Sequence, residues 1–147
     1  MPSVNVVVSN SAGEVLLIRR SDNDNWAVPG GAADLGESLV QAAVRETRKE
    51  TGIECEVTGL VGIYTDPRHV MLYTSDGEVR QEFSIVLTGR VTGGEPTCSE
   101  ESSEVRWVPR KDLGGYPMDR SMRLRIGHYL EGRATPYLGL QVVWRAA

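Results

Sequence analysis

Apolar and polar positions change along the chain in short runs, and these runs predict strands joined by tight turns. Apolar runs at residues 4–8 and 14–20 flank a cluster of turn-forming residues at 9–13, which is typical of a β-hairpin. A polar loop at 21–25 follows, and the Pro and Gly residues at 29–31 end any regular element there. The chain therefore begins with an antiparallel pair of strands.

The strongest helical pattern covers residues 37–51. Ser38 suits the N-cap position, and no Pro or Gly interrupts the pattern before Gly52, which suits the left-handed residue that ends many helices. Residues spaced three or four apart predict an inward-facing stripe of Val40, Ala43, Val44, Thr47 and Thr51.

The rest of the chain predicts further strands and one more helix. These elements are a strand at 54–65 with glycine bulges at 59 and 62, a hairpin of 71–73 and 78–88 around a turn at 75–77, a strand at 104–108, a helical turn at 109–113 and an amphipathic helix at 121–130. The order β-β-α-β-β-β-β-α predicts the α+β fold class, with a mixed sheet flanked by helices.

Composition excludes several classes of protein. The 147 residues include 16 Lys and Arg and 20 Asp and Glu, so the formal net charge is −4, and 40% of the residues are hydrophobic. A mildly acidic chain without a long apolar run argues against binding to a nucleic acid polymer or a membrane. The N-terminus lacks the features of a secretory signal. We therefore expect one cytoplasmic domain that covers residues 1–147.

The two cysteines, Cys55 and Cys98, do not predict a zinc site. They have neither CxxC spacing nor a neighbouring histidine. Two buried thiols are the preferred interpretation for a reducing compartment, with a disulfide between them as the alternative.

The candidate chemistry lies in residues 31–53, where a glycine-rich loop runs directly into the helix. Glu46 and Glu50 are four residues apart, so their carboxylates lie on one helical face. Mg²⁺ prefers oxygen ligands, typically one or two protein carboxylates together with phosphates and water. The glycines at 30 and 31 allow the backbone to approach such an ion closely. The segment therefore predicts a site for a divalent cation.

This segment resembles the signature of the Nudix hydrolases. The signature reads Gly, five residues, Glu, seven residues, and then Arg-Glu-aliphatic-x-Glu-Glu-x-Gly-aliphatic. The matching residues in this chain are Gly31, Glu37, Arg45, Glu46, Glu50, Gly52 and Ile53. Thr47 replaces an aliphatic residue, and Lys49 replaces the first glutamate of the pair, which is often a metal ligand in that family.

The resemblance implies an α/β/α sandwich and hydrolysis of the pyrophosphate linkage of a nucleoside diphosphate linked to a further group X, with Mg²⁺ or Mn²⁺ as cofactor. By position it implies that the Gly30 carbonyl, Glu46 and Glu50 bind the metal. Glu46 is also a candidate general base. Arg45 would orient a neighbouring glutamate, and Glu37 would either be an outer metal ligand or support the ligands without binding the metal.

A second candidate for the general base lies in a later loop. In sequences similar to this one, a glutamate often precedes the strand that here reads Glu-Val-Arg-Trp, which makes Glu101 the first choice and Glu100 the second. The alternative is that residues 99–104 form a solvated acidic loop.

Three residues are candidates for contacts with the substrate. Arg20 ends a strand next to the glycine loop, Trp26 suits stacking on a nucleobase, and the Lys49 ammonium suits contact with a phosphate in place of another ion. The alternatives are a solvated charge for Arg20, a core position for Trp26, and a solvated Lys49 in a weak or inactive enzyme. On this hypothesis the site uses fewer metal ions than its relatives.

Other residues have a weaker claim on function. A loop that could shape the pocket for X contains Tyr64, Asp66, Arg68 and His69, of which His69 is interpreted as a surface residue. In the last helix His128 is interpreted as structural, and Arg123 and Arg125 as a solvated face. Residues 118–120 are expected to cap that helix.

Two functions from different classes remain at this point. The first is a pyrophosphohydrolase acting on a small nucleotide, and the alternative is a Nudix-like domain that binds or senses a nucleotide with weak or no catalysis. The intact Glu46 and Glu50 favour the enzyme, whereas Lys49 favours the binding domain. The pocket for X lies in loops, so the sequence does not identify the nucleotide. Dimers are common among similar proteins, but nothing in the sequence demands one.

Overall fold

The computed structural model of the protein describes residues 2–73 and 77–139. Its elements are β1 (Ser3–Ser9), β2 (Val15–Arg20), β3 (Trp26–Ala27), β4 (Gly30–Ala32), α1 (Leu39–Thr51), β5 (Ile53–Tyr64), β6 (Val70–Tyr73), β7 (Glu78–Gln81), β8 (Ser84–Gly94), β9 (Ser102–Val108), a 3₁₀ helix (Arg110–Gly115) and α2 (Arg120–Glu131). Within the described residues, neither α-helix has the length and apolar character needed to cross a membrane.

The main sheet is mixed, as predicted. Its strands follow the order β3-β2-β1-β8-β5, with β4 paired to β1 and β9 paired to β2. Strand β1 runs parallel to β8 and antiparallel to β2 and β4, and β5 runs antiparallel to β8. Strands β6 and β7 form a separate antiparallel pair.

The two faces of the main sheet carry separate apolar clusters, because successive side chains of a strand point to opposite faces. In β1, Val7 belongs to one cluster, whereas Val6 and Val8 belong to the other. The Val7 cluster includes Met122 of α2, and the Val6 cluster includes residues 42 and 43 of α1. The sheet therefore lies between the two helices, as the α/β/α expectation requires.

Helix α1 begins and ends at the residues that the sequence suggests. Ser38 caps its N-terminus in a capping box with Gln41, and Gly52 adopts φ 74° at its C-terminus. The predicted inward stripe is partly wrong, since Val40 is 51% exposed while Glu46 and Glu50 are buried. The physical reason is that this helix packs against β4, where Gly31 leaves room for the Glu46 carboxylate and the Gly30 N–H donates to that of Glu50.

The long strand predicted at 78–88 is divided into β7 and β8. The chain leaves the ladder at residues 82 and 83, where the Glu82 N–H donates to the backbone carbonyl of His69. The predicted turn at 75–77 lies partly outside the described residues. In β5 the pairing with β8 shifts next to Gly59 and Gly62, as the predicted bulges require.

A segment near the C-terminus packs against β5. The Ile63 N–H donates to the Tyr137 carbonyl at 2.8 Å, and the Tyr137 N–H donates to the Val61 carbonyl at 2.9 Å. A Cβ atom on Gly62 would lie 2.7 Å from the Tyr137 carbonyl oxygen, so this approach requires glycine. This contact places Tyr137 at the wall of a cleft.

Both cysteines are free thiols. Cys55 is buried in β5, but Cys98 is exposed, so the prediction of two buried thiols is wrong for Cys98. Its position in the irregular segment between β8 and β9 explains the exposure.

Candidate active site

A cleft of about 1870 Å³ brings together the segments that the sequence singled out. Its walls come from the glycine loop, the ends of β2 and β5, the segment before β8 and the N-terminal half of α2. The lining residues that concern the chemistry are Arg20, Gly30, Gly31, Glu50, Glu100 and Glu101. The loop residues Tyr64, Asp66, Arg68 and His69 line it too, as the sequence analysis expected.

Arg45 is the residue that organises the outer part of the acidic group. Its Nε donates to Glu37 at 2.6 Å, and a terminal nitrogen donates to Glu46 Oε1 at 2.7 Å. The other terminal nitrogen donates to the second Glu37 oxygen at 2.9 Å and to the Ala32 carbonyl at 3.1 Å. The bonds from Arg45, with a further one from the Asp34 N–H, lower the pKa of Glu37 to about 2. Glu37 is thus held as an anion whose oxygens already have partners.

Glu46 and Glu50 are buried side by side beneath the glycine loop, with 5% and 4% of their surface exposed. The Gly30 N–H donates to Glu50 Oε2 at 3.3 Å. A Cβ atom on Gly31 would lie only 2.7 Å from the Glu46 carboxyl carbon, so the glycine makes room for that side chain. Burial, reinforced by the negative charges of Glu46 and Glu101, raises the pKa of Glu50 to about 8.

Glu101 completes a group of three carboxylates. One oxygen from each of Glu46, Glu50 and Glu101 lies within 4.8 Å of the others. The Lys49 ammonium lies beside the same group, 3.3 Å from Glu101 Oε1 and 3.9 Å from Glu46 Oε2. The helix thus supplies two of these carboxylates, and the loop before β9 supplies the third.

The other predicted site residues do not all reach the cleft. Arg20 lines it and forms an ion pair with Asp22 at 2.6 Å. Trp26 is 7% exposed and packs in the core, edge to face with Tyr116 at 4.9 Å between ring centroids. The prediction that Trp26 stacks on a substrate is therefore corrected. Among the described residues, those that line the cleft include neither Trp26 nor Lys49, and Glu37 is outside the three-carboxylate group.

A buried polar network at the other end of the cleft was not predicted from the sequence. Arg125 is 7% exposed, not solvated as expected, and its guanidinium donates to Glu82 and to Asn5 Oδ1, the latter at 2.6 Å. His69 Nδ1 lies 3.2 Å from the second Glu82 oxygen, and the Arg125 guanidinium lies over the Tyr64 ring. One feature of the sequence indicated that Arg125 is buried. It follows Met122 by three residues, which places both side chains on the same face of α2.

An aromatic stack borders this network. The Tyr64 hydroxyl lies 2.8 Å from His128 Nδ1, and the ring of Tyr137 stacks on both side chains. Burial lowers the pKa of His128 and raises that of Tyr64 to about 12, so both are neutral near pH 7. His128 is structural, as interpreted, and Asp119 caps α2 by accepting from the Met122 N–H at 2.8 Å.

Comparison with known proteins identifies the family. The model of the NUDIX domain matches residues 1–129, and the chain belongs to this family. A MutT-like protein of Streptomyces ambofaciens is 37% identical over 106 residues, which cover 72% of this chain and 62% of that protein. An ADP-ribose pyrophosphatase of Methanocaldococcus jannaschii is 33% identical over 104 residues, which cover 68% of this chain and 57% of that protein. The chain therefore spans about three fifths of the length of these relatives.

Solved structures confirm the fold. A MutT protein from Methanosarcina mazei Go1 superposes with a TM-score of 0.72 and 28% sequence identity, over 92% of this chain and 96% of that one. The α+β class with a mixed sheet and the α/β/α sandwich expected from the sequence are thus those of the Nudix fold.

Proposed function

We propose that the protein is a metal-dependent pyrophosphohydrolase that cleaves the pyrophosphate linkage of a nucleoside diphosphate linked to a group X. The observation that carries this proposal is the group of three carboxylates, Glu46, Glu50 and Glu101, at the wall of a cleft large enough for a nucleotide. The relatives named as a MutT-like protein and an ADP-ribose pyrophosphatase support the same class of reaction.

The donor set fits Mg²⁺ or Mn²⁺. Both are hard cations that take oxygen ligands, and the three carboxylates supply oxygens within 4.8 Å of one another. Two of these side chains are buried, and the glycine at 31 leaves the space that Glu46 occupies. Buried carboxylates this close repel one another when ionised, and a divalent cation offsets that repulsion. Glu46, Glu50 and Glu101 would hold the ion, together with the carbonyl of Gly30.

The chain's own residues supply the rest of the chemistry. The ion, when bound, neutralises phosphate oxygens and acidifies a coordinated water. Glu101 is the general base that we favour, because its side chain is 57% exposed and borders the cleft, and the carboxylate oxygen that does not face the ion would be free to take a proton. Glu46 is less suited to that role, since its side chain is buried and is not among the described residues that line the cleft. Arg45 and Glu37 position Glu46 without touching the substrate.

Substrate binding is assigned to the remainder of the cleft. The guanidinium of Arg20 is the proposed contact for a phosphate, since it lines the cleft and is anchored by Asp22. The group X would lie toward the aromatic and charged residues at the other end, where Tyr64 and Arg125 line the wall. A small nucleotide such as ADP-ribose, on which one relative is named as acting, has the charge and size that such a cleft accommodates.

Binding without turnover is the second candidate function, and one observation favours it. Lys49 stands where the family signature has a glutamate, and its ammonium forms ion pairs with two of the three carboxylates. A site with one anion fewer and one cation more holds divalent ions less strongly. On this account the cleft binds the nucleotide, and hydrolysis is slow under any metal.

A screen with matched variants tests the proposal. ADP-ribose, sugar nucleotides, nucleoside triphosphates and dinucleoside polyphosphates would be incubated with the protein in Mg²⁺, Mn²⁺ or EDTA, and products followed by ³¹P NMR. We expect metal-dependent cleavage of at least one compound, and a loss of about 10²–10³-fold in kcat for Glu50→Gln, which removes a preorganised charge.

Glu95→Gln is the matched control, because Glu95 is exposed and does not line the cleft. It should retain the wild-type rate. Tight nucleotide binding in calorimetry without cleavage in any metal would contradict the hydrolase and support the binding function.

A further inference from the structure

Lys49 lies on α1 one turn after Glu46 and faces the acidic group. Its Nζ is 3.3 Å from Glu101 Oε1 and 3.9 Å from Glu46 Oε2. The contact with Glu101 joins the helix to the loop before β9, across 52 positions of sequence. The ammonium of an ordinary lysine is charged at neutral pH, so a fixed positive charge stands beside two of the three carboxylates.

The formal charges of this group point to the number of divalent ions it can hold. With a cation bound beside them, all three carboxylates are ionised, so Glu46, Glu50 and Glu101 carry −3, and Lys49 adds +1, which leaves −2. Arg45 and Glu37, which are paired with each other, cancel. One divalent ion therefore neutralises the group. A glutamate at position 49, as in the family signature, would change the sum to −4 and match two such ions.

We propose that the ammonium of Lys49 takes the place of a second divalent ion, so that this site binds a single Mg²⁺ or Mn²⁺. In this role Lys49 is a positioning residue, because it holds the exposed Glu101 carboxylate beside the buried pair Glu46 and Glu50. The inference rests on the proposed function, since it concerns the same metal site. It goes beyond that function by assigning the metal stoichiometry and a fixed organic cation to the site.

The geometry separates this role from that of an ordinary solvated lysine. Although the Lys49 side chain is half-exposed, its ammonium reaches both the buried carboxylate of Glu46 and the carboxylate of Glu101 from a distant loop. It also separates this role from contact with the substrate, since the residues that line the described part of the cleft do not include Lys49. The half-exposed ammonium acts on the carboxylates at the edge of the cleft.

Counting bound Mn²⁺ tests the inference without relying on activity. Free Mn²⁺ would be measured by electron paramagnetic resonance during titration of the wild type, Lys49→Glu and Lys111→Glu. Lys111 is the chain's other lysine and is exposed outside the cleft, so its replacement makes the same change of charge elsewhere. We expect one tightly bound ion in the wild type and in Lys111→Glu, and two in Lys49→Glu.

Two further variants keep the test decisive if Lys49→Glu does not fold. Lys49→Met removes the cation without adding a carboxylate and should bind its ion about tenfold more tightly, which corresponds to about 1.4 kcal/mol. Lys49→Arg restores the cation and should match the wild type in stoichiometry and affinity. Unchanged Mn²⁺ affinity in Lys49→Met would overturn the inference.

The outcomes distinguish this inference from the proposed function. Two tight ions in the wild type, or one ion in a folded Lys49→Glu, would overturn the role of Lys49 and leave the hydrolase intact. Absence of any Mn²⁺ binding in the wild type, with and without nucleotide, would overturn the proposed metal-dependent function and this inference with it.

Discussion

At position 31, any side chain larger than hydrogen would displace the carboxylate of Glu46. The Cβ of an alanine there would lie 2.7 Å from the Glu46 carboxyl carbon and 2.9 Å from Oε1. The Glu46 side chain can rotate away, but only by leaving Arg45 and the other two carboxylates. We therefore expect a side chain at position 31 to disturb the geometry of the site more than it lowers the stability of the fold.

We expect Gly31→Ala to lower kcat about 100-fold or more, as a displacement of about 1 Å does to a positioned group, with little change in Tm. Steady-state kinetics and a thermal melt on the same preparation measure both. Gly114→Ala is the matched control, because nothing lies within 4 Å of a Cβ at that position. Equal activity in both variants would show that Glu46 does not need its observed position.

The sequence predicted some of these residues and not others. The spacing of Glu46 and Glu50 was sufficient to place them together, since a helix brings residues four apart onto one face. For Trp26 the sequence left a core position and contact with the substrate both open, because a polar loop precedes it and only the fold brings Tyr116 against it. Whether a single aromatic or charged residue faces a cleft depends on packing between elements distant in sequence.

Helix α2 is held against the sheet side of the cleft by a buried ion pair. Arg125 of the helix and Glu82, just before β8, are 7% and 5% exposed. Asn5 of β1 accepts a further hydrogen bond from the same guanidinium at 2.6 Å. Breaking such a pair leaves an uncompensated charge in the interior, which is far more costly than an exposed pair.

Arg125→Met should therefore lower the free energy of unfolding by about 3–5 kcal/mol, whereas the double variant Arg125→Met with Glu82→Leu should recover part of that loss. Urea denaturation measures both. Arg120→Met on the same helix is the control and should stay within about 0.5 kcal/mol of the wild type, since Arg120 is exposed. A double variant less stable than the sum of its single changes would contradict this account of the pair.

The contact of α2 with β5 makes the stability of the protein depend on pH. Burial lowers the pKa of His128 below its ordinary value, while Glu131 opposes that effect. The unfolded chain thus takes up a proton at His128 near pH 6.5, before the folded protein does. The contribution of neutral His128, bonded to Tyr64, is complete above about pH 6.5 and is lost as the pH falls through its lowered folded pKa.

His128→Gln removes this titration. We expect the wild-type Tm to fall more than that of the variant between pH 6.5 and pH 5, and the two curves to run parallel between pH 7 and pH 8. Calorimetry across that pH range provides the measurement. Parallel curves over the entire range would show that His128 is as easily protonated in the folded protein as in the unfolded chain.

Elements with a strong local pattern were predictable from the sequence. The capped helix α1 and the strand β5 lie within two residues of their predicted bounds. The division of 78–88 into β7 and β8 was not predictable, because it depends on Glu82 turning toward Arg125, 43 residues away. Strands β3 and β4 were also missed, since two or three residues carry no periodic signal and form only by pairing with β2 and β1.

For the whole molecule, the site depends on the assembly of parts that are distant along the chain. The helix provides Glu46 and Glu50, the glycine loop provides the space that Glu46 occupies, and the segment before β9 brings Glu101 within 4.8 Å. The family signature covers the first two parts, so the sequence alone located them. The proximity of Glu101 follows from the pairing of β9 with β2, which carries its loop back to the cleft.

We expect Glu46, Glu50 and Glu101 to bind one divalent ion at the wall of the cleft. Anomalous scattering from crystals soaked in Mn²⁺ with a non-hydrolysable nucleotide measures where that ion lies. The expected result is an anomalous peak bounded by oxygens of these three carboxylates and by the phosphates of the nucleotide. Manganese bound elsewhere, with Glu46 bonded only to Arg45 and Glu50 only to the backbone, would contradict it.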